Sequence, residues 1–224
     1  MTTPLRQQPA ALIFDLDGTL VDTVETRIEA WLRTFEEFGI PAQRGEVAKL
    51  IGSDGRRLAR VVAEAAGRAI DDGLAEEIDR RAGEIYSELN TNPGPLPGAR
   101  ELLQALDGMG VRWAIATSSR PEQVGKSIDS LKLSRAPTII DGSRVEHAKP
   151  APDLLLFAAR ELGVEPSRAW YVGDSIWDMQ AARAAGMPAI GVASGSATAE
   201  ELEAAGGLTV DNLHQALPMI KTRT

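Results

Sequence analysis

Short apolar runs recur along the chain at Leu12–Phe14, Val111–Ala116, Thr138–Ile140, Trp170–Val172, Ala189–Val192 and Leu208–Val210, separated by stretches with helical periodicity. Strands that alternate with helices predict an α/β fold with a parallel sheet. The long gap between the first run and the second breaks this rhythm. There Val24, Ile28, Trp31, Leu32, Phe35 and Phe38 fall at three- and four-residue steps and form one apolar stripe of a helix. Further helices are predicted around Arg56–Ala66 and Leu74–Leu89, and the block ends in NTNPGPLPG, residues 90–98, whose prolines and glycines mark a boundary. The pattern therefore predicts an α/β core, residues 1–22 and 93–224, interrupted by an all-helical insertion over residues 23–92.

Candidate chemistry begins where the first strand ends. In LIFDLDGTLVD, residues 12–22, an apolar run delivers Asp15 and Asp17 to a turn opened by Gly18 and Thr19. In an extended chain the two acids would share a face. Gly18 favours an exit from the strand near Asp17, so that one acid offers its side chain and the other also its carbonyl to a single cation such as Mg²⁺. A helix N-cap followed by a turn Asp accounts equally well for this string taken alone.

Composition narrows the choices. The 224 residues suit a main domain with an insertion, and 43% hydrophobic residues suffice for a sizeable core. Cysteine is absent, which removes disulfides, thiolate ligands and a thiol nucleophile; a metal has oxygen ligands or two histidines to choose from. The opening MTTPLRQQPA has no apolar stretch of signal-peptide length, and no later run is long enough for a membrane span, so a soluble, cytoplasmic protein is expected. A net charge of -8 disfavours nucleic acid and anionic membranes as partners. It leaves room for a small phosphorylated metabolite, because a bound cation reverses the field in a cleft.

Three more strand ends carry polar groups. After Val111–Ala116 come Thr117, Ser118 and Ser119, with Arg120-Pro121-Glu122 as a helix start. A hydroxyl, a free amide and a helix N-terminus suit a phosphate, though plain N-capping by either serine explains them too. In HAKPAPD, Pro150 and Pro152 restrict the chain around Lys149, and Asp153 is placed to cap the next helix. His147 reads as a loop residue. Finally, Trp170–Val172 runs into Gly173, Asp174 and Ser175, with Asp178 one helical turn after Asp174. Ends of parallel strands line one crevice, and four carboxylates converging there would raise one another's pKa values unless a cation joined them.

The ordered set DLDGT, TSS, KPAPD and GDSIWD resembles the motifs of the haloacid dehalogenase superfamily, in particular its phosphatase and phosphomutase branch, from Leu12 to about Ile220. The resemblance implies a Rossmann-like core with a mobile helical cap, and Mg²⁺ as cofactor. It implies that Asp15 is the nucleophile that becomes an aspartyl-phosphate, and that Asp17 is the general acid and base. Thr117, the Ser118 amide and Lys149 are implied to hold the phosphoryl group. The Asp15 side chain, the Asp17 carbonyl and Asp174 are implied as metal ligands, with Asp178 behind them orienting water or Lys149. Dehalogenases and phosphonatases of this superfamily generally lack an acid where Asp17 stands, so Asp17 points to phosphoryl transfer. Mutases of the β-phosphoglucomutase type typically carry a cap histidine where Arg27 aligns, which leaves hydrolysis of a small phosphomonoester ahead of the mutase alternative.

Substrate choice is expected in the cap. Thr23, Arg27, Arg56 and Arg57 are the candidate contacts there, and a monomer or weak homodimer is expected. Receiver domains of signalling systems also gather acids, a hydroxyl and a lysine around Mg²⁺, but the helical insertion, the spacing of Asp15 and Asp17 and the chain length all disfavour a non-catalytic phospho-acceptor.

Overall fold

The computed structural model describes residues 8–221; residues 1–7, within the opening segment weighed above as a possible leader, lie outside that range. The chain runs β1 (Ala11–Phe14), β2 (Val21–Asp22), α1 (Val24–Glu37), α2 (Arg44–Ala48), α3 (Gly55–Ala65), α4 (Asp72–Leu89), β3 (Gly94–Pro95), α5 (Ala99–Gly108), β4 (Arg112–Ala116), α6 (Pro121–Ser130) and β5 (Thr138–Ile140). It continues through α7 (Asp153–Glu161), β6 (Ala169–Gly173), α8 (Ile176–Ala184), β7 (Ala189–Val192), α9 (Ala199–Ala204), β8 (Leu208–Val210) and α10 (Leu213–Lys221). All six predicted strands are present, with ends shifted by at most a residue.

These strands form one parallel sheet in the order β5-β4-β1-β6-β7-β8. Central β1 pairs on both sides, Phe14 opposite Ile115 and Val172. Both faces of β1 are covered, and this explains why its sequence is an unbroken apolar run. The alternation of the strand sends Leu12 and Phe14 to one face, against Leu102 and Leu103 of α5 and Leu213 of α10. Ile13 goes to the other, against Leu154 and Leu155 of α7 and Ala181 and Ala182 of α8.

Topology then decides where the chemistry sits. From β1 the chain moves outward to β4 and β5 on one side, then returns to build β6, β7 and β8 on the other. The reversal point lies at the carboxyl ends of β4, β1 and β6, the crevice in which doubly wound sheets bind ligands.

Helices α1–α4 leave and rejoin the sheet through a small antiparallel pair, Val21 opposite Pro95 and Asp22 opposite Gly94. Two-residue strands, one of them Gly-Pro, carry no sequence signal, and this pair was not predicted. Neither was α2. The apolar stripe of α1 is as expected in its middle: Ile28, Trp31 and Phe35 are buried, while Val24, Leu32 and Phe38 lie at the margin. Trp31 and Phe35 stack with centroids 5.6 Å apart, and Val47, Leu58, Val62 and Ile78 complete the cluster with Trp177 from α8. Trp177 also donates its Nε1–H to the Lys49 carbonyl at 3.1 Å, tying the helical insert to the sheet region.

Candidate functional site

Asp15 and Asp17 do not act as a pair. The Asp15 amide donates to the Val172 carbonyl at 2.9 Å, so the ladder of β1 and β6 reaches one residue past the strand and fixes Asp15 at its end. The chain then turns through Gly18, at φ +84°, a conformation glycine adopts without a steric cost. The two carboxylates consequently enter different surroundings.

Asp15 joins a buried cluster. Lys149, 1% exposed, donates from Nζ to Asp15 Oδ1 at 2.7 Å and to Asp178 Oδ1 at 2.8 Å. Tyr171 donates its hydroxyl to the same Asp178 oxygen at 2.8 Å. The other Asp178 oxygen accepts from the Ser175 hydroxyl at 2.6 Å and from the Ser175 and Asp174 amides at 3.0 and 3.2 Å. Ser175 and Asp178 thereby form the reciprocal cap of α8, so Asp178 is both a helix-start residue and the anchor of Lys149. Asp174 accepts from Thr19 Oγ1 at 2.7 Å and from the Ser196 amide at 2.8 Å. Backbone crowds it: a Cβ on Gly195 would stand 1.9 Å from Asp174 Oδ2, and one on Gly18 2.4 Å from it.

Carboxylate oxygens of Asp15, Asp174 and Asp178 lie within 4.8 Å of one another. Burial pushes the Asp15 carboxyl well above its usual range; Lys149 opposes the shift, and Asp178 and Asp174 add to it. Burial and Asp178 likewise push Asp174 up to about 7. Burial alone would make Lys149 less basic, but Asp15 and Asp178 more than reverse this and raise it. Three buried carboxylates face one ammonium, which leaves an excess of negative charge in a dry place. A divalent cation with hard oxygen ligands fits that donor set.

Asp17 is held otherwise. Its Oδ1 accepts from Thr23 Oγ1 at 2.6 Å and Tyr86 OH at 3.1 Å, and its Oδ2 accepts from Ser119 Oγ at 2.7 Å and Arg27 Nη2 at 2.9 Å. Burial would raise its pKa, but the Arg27 charge and the hydrogen bonds from Thr23, Ser119 and Arg27 outweigh burial and lower it.

Thr117 stands at the end of β4, its amide bonded to the Ile140 carbonyl at 2.9 Å and its hydroxyl accepting from the Ser119 amide at 3.1 Å. The N-cap of α6 is Arg120, which makes no side-chain cap bond, and Pro121 occupies the first turn. Neither serine is therefore spent on capping. Asp153 likewise does not cap α7: Pro152 takes that position, and Asp153 lies 3.4 Å from the exposed His147 ring.

The cleft is lined by Asp15, Asp17, Thr117, Ser118 and Lys149 from the sheet side, and by Arg27, Trp31, Ser53, Asp79 and Tyr86 from the helices. Of the expected contacts, Arg27 lines it and Thr23, buried at 1% exposure, does not; both are spent on Asp17. Arg56 does not line this cleft. It is spent on Asp54 at 3.2 Å and the Glu146 carbonyl at 3.1 Å, beside an adjoining hollow, and Arg57 lies over the Trp177 ring. Tyr86 and Gln123 were not singled out from sequence, and Ser119, Thr19 and Arg120 were named only as a strand-end hydroxyl or cap, a turn residue and part of a helix start. Thr19 had a signal in the DGT string; Tyr86 had none beyond the periodicity of its helix. Arg120 bridges to the insert, donating to Glu76 at 2.6 Å and Asp79 at 2.8 Å on α4.

The profile of the haloacid dehalogenase-like hydrolases matches residues 12–192. A phosphoglycolate phosphatase of Pseudomonas putida is 34% identical over 215 residues, covering 94% of this chain and 79% of its own. The crystal structure of a hydrolase from Pseudomonas syringae superposes with a TM-score of 0.88 at 33% identity, over 94% of this chain and 97% of that one. A β-phosphoglucomutase from Clostridium difficile shares the fold, with a TM-score of 0.80 at 22% identity over 92% of each chain. With its strand-end acids, lysine and hydroxyl gathered at one reversal of the sheet, the chain belongs to the haloacid dehalogenase-like hydrolases.

Proposed function

We propose that this protein is a Mg²⁺-dependent phosphatase of a small phosphomonoester, working through an aspartyl-phosphate on Asp15. One observation carries the reading: two acids two residues apart are placed in different electrostatic settings, Asp15 against Lys149 inside the acidic cluster and Asp17 against Arg27 and Tyr86 outside it. In the protein alone the shifts run against the roles of nucleophile and acid, Asp15 up and Asp17 down. A cation beside Asp15 would lower its pKa, and a phosphoryl dianion beside Asp17 would raise that one, so the loaded site would hold Asp15 as the carboxylate and Asp17 as the acid.

An Asp15 oxygen attacks phosphorus and forms the O–P bond as the ester O–P bond breaks, and Asp17 gives its carboxyl proton to the departing alcohol. Asp17, now a carboxylate, takes a proton from water as that water's oxygen attacks phosphorus, and the Asp15–phosphorus bond breaks to release phosphate. Thr117, the Ser118 amide and Lys149 hold the phosphoryl oxygens, and Lys149 keeps Asp15 turned toward them. Asp15, the Asp17 carbonyl and Asp174 would hold Mg²⁺, which supplies charge neutralisation at the phosphoryl group. Asp178, with both oxygens committed to donors, positions Lys149. Helices α1–α4 act as a cap, residues 23–92, that shuts the leaving group away from water.

The name carried by the Pseudomonas putida relative makes 2-phosphoglycolate the first substrate to try. Hydrolysis is preferred to the mutase alternative because the similarity to that phosphatase is the stronger. The net charge of -8 and the absence, among the described residues, of a helix long and apolar enough to cross a membrane support action on a soluble metabolite in the cytoplasm. The test is Mg²⁺-dependent phosphate release from p-nitrophenyl phosphate and from a panel of alkyl phosphates that includes 2-phosphoglycolate and sugar phosphates. Asp15→Asn should lower turnover by at least about 10³-fold with folding intact. Activity that survives this substitution would sink the proposal.

A further inference from the structure

Asp15 owes its position to the sheet, whereas Asp17 lies beyond β1, on the turn at Gly18, and its carboxylate takes its orientation from side chains. Of its four donors only Ser119 belongs to the sheet region. Thr23, Arg27 and Tyr86 flank or belong to α1 and α4. Two of these are themselves locked. Asn90, 4% exposed, donates from Nδ2 to the Tyr86 oxygen at 2.8 Å and to Ser127 Oγ of α6 at 3.3 Å. An amide nitrogen only donates, so the Tyr86 oxygen is the acceptor there and its single hydrogen is left for Asp17 Oδ1. The Arg27 Cζ stands over the Tyr86 ring, 3.4 Å from its centroid, and the other amino group donates to Gln123 Oε1 at 2.7 Å. Close approach of α4 to α6 is needed for this, and Gly83 permits it: a Cβ there would stand 2.1 Å from Gln123 Nε2.

From this arrangement we infer that Tyr86 and Arg27 are positioning residues for Asp17, so that the helical insert, and not the sheet, aims the group that handles the proton. The inference rests on the phosphatase reading above and on Asp17 as its proton carrier. A run of contacts from Ser127 through Asn90 and Tyr86 to Asp17 passes from the core helix α6 through the end of α4 and back to the site. Seating α4 on α6 and orienting the acid are thus one event. No hydrogen bond among the described residues joins Tyr86 or Arg27 to Asp15, Lys149, Asp174 or Asp178, so their loss leaves the nucleophile and the acidic cluster in place.

That separation supplies a test that general damage would not mimic. An alkyl alcohol must be protonated as it leaves, while p-nitrophenolate departs without a proton. The value of kcat/KM reports steps up to release of the alcohol, and so excludes the later hydrolysis of Asp15. With Mg²⁺ present, kcat/KM is measured for p-nitrophenyl phosphate and for the alkyl phosphate of the panel that the wild type hydrolyses best. Tyr86→Phe removes one hydrogen bond and keeps the ring; it should lower the alkyl value about fivefold to tenfold and the p-nitrophenyl value less than about twofold. Arg27→Gln should cost the alkyl ester about 10²-fold and the aryl ester less than about fivefold, with Arg27→Lys recovering part of the difference. Equal losses on the two esters in variants of unchanged Tm, or no loss in either, would overturn the inference. A wild type that hydrolyses neither ester would instead overturn the phosphatase reading and this inference with it.

Discussion

The two walls of the cleft are built on different principles. On the sheet wall, Asp15, Lys149, Asp174 and Asp178 are 0–3% exposed and are held by main-chain amides, a capping pair and contacts at neighbouring strand ends. On the helical wall, Arg27, Tyr86 and Asp79 make long side-chain bridges to Asp17, Gln123 and Arg120 of the sheet region, and Arg120 and Asp79 remain 30% and 21% exposed at the side chain. The first wall is fixed before any ligand arrives, which is what charge stabilisation during phosphoryl transfer requires. The second depends on α4 being seated on α6, which is what the proposed proton carrier, Asp17, can tolerate. Rigidity follows backbone anchoring, and adaptability follows side-chain bridging.

The contrast breaks most severely at Lys149. Lys149→Met would leave Asp15 and Asp178 facing each other without their shared cation, and loss of one member of a buried charge set costs about 3–5 kcal/mol. Denaturant unfolding without metal should show that loss, and added Mg²⁺ should recover part of it. No recovery would mean that the acidic cluster does not take up the cation.

A smaller effect sharpens the electrostatic side of the comparison. Asp174 holds its proton up to about pH 7 in the folded chain against an ordinary 3.8. Between those values the native state binds the more protons, so this group favours folding at low pH and the contribution is lost as pH rises toward 7. Proton and cation compete for the same oxygens. The rise in Tm produced by a fixed Mg²⁺ concentration should therefore be larger at pH 8 than at pH 5.5, as thermal scans at both values would show. Asp17, with its pKa lowered, works in the opposite sense and loses its contribution only as pH falls through the carboxylate range.

The smallest effect belongs to Arg56. Because its guanidinium is spent on Asp54 and the Glu146 carbonyl outside the cleft, Arg56→Ala should change kcat/KM less than about twofold, as expected for a half-exposed ion pair. A loss of tenfold or more would mean that the helical wall reaches the substrate from farther out than its contacts suggest.

Legibility in the sequence divided along the same line. Asp15, Thr117 and Asp174 each sit at the end of an apolar run, beside the glycine or hydroxyl that lets the chain turn, and Lys149 is flanked by prolines, so these were marked locally before any fold was known. The strands themselves were readable because parallel, doubly covered strands must be continuously apolar. Asp153 was misplaced by one position because Pro152 makes the helix start itself. The β2–β3 pair escaped because two residues of pairing are decided by partners more than seventy positions away.

By itself, then, the sequence determined the alternation of strands and helices, the helical interruption and the acids, hydroxyl and lysine of the sheet wall, since short-range periodicity and turn chemistry depend only on neighbours. Tertiary structure alone decided that Asp15 and Asp17 part company and that Tyr86 and Arg27 hold Asp17, and between the two tasks expected of Asp178, orienting water or Lys149, it shows the contact with Lys149. The contacts of Arg27 and Tyr86 with Asp17 join residues 10 and 69 positions apart, and only the packing of α1 and α4 over the reversal of the sheet brings them within hydrogen-bond reach.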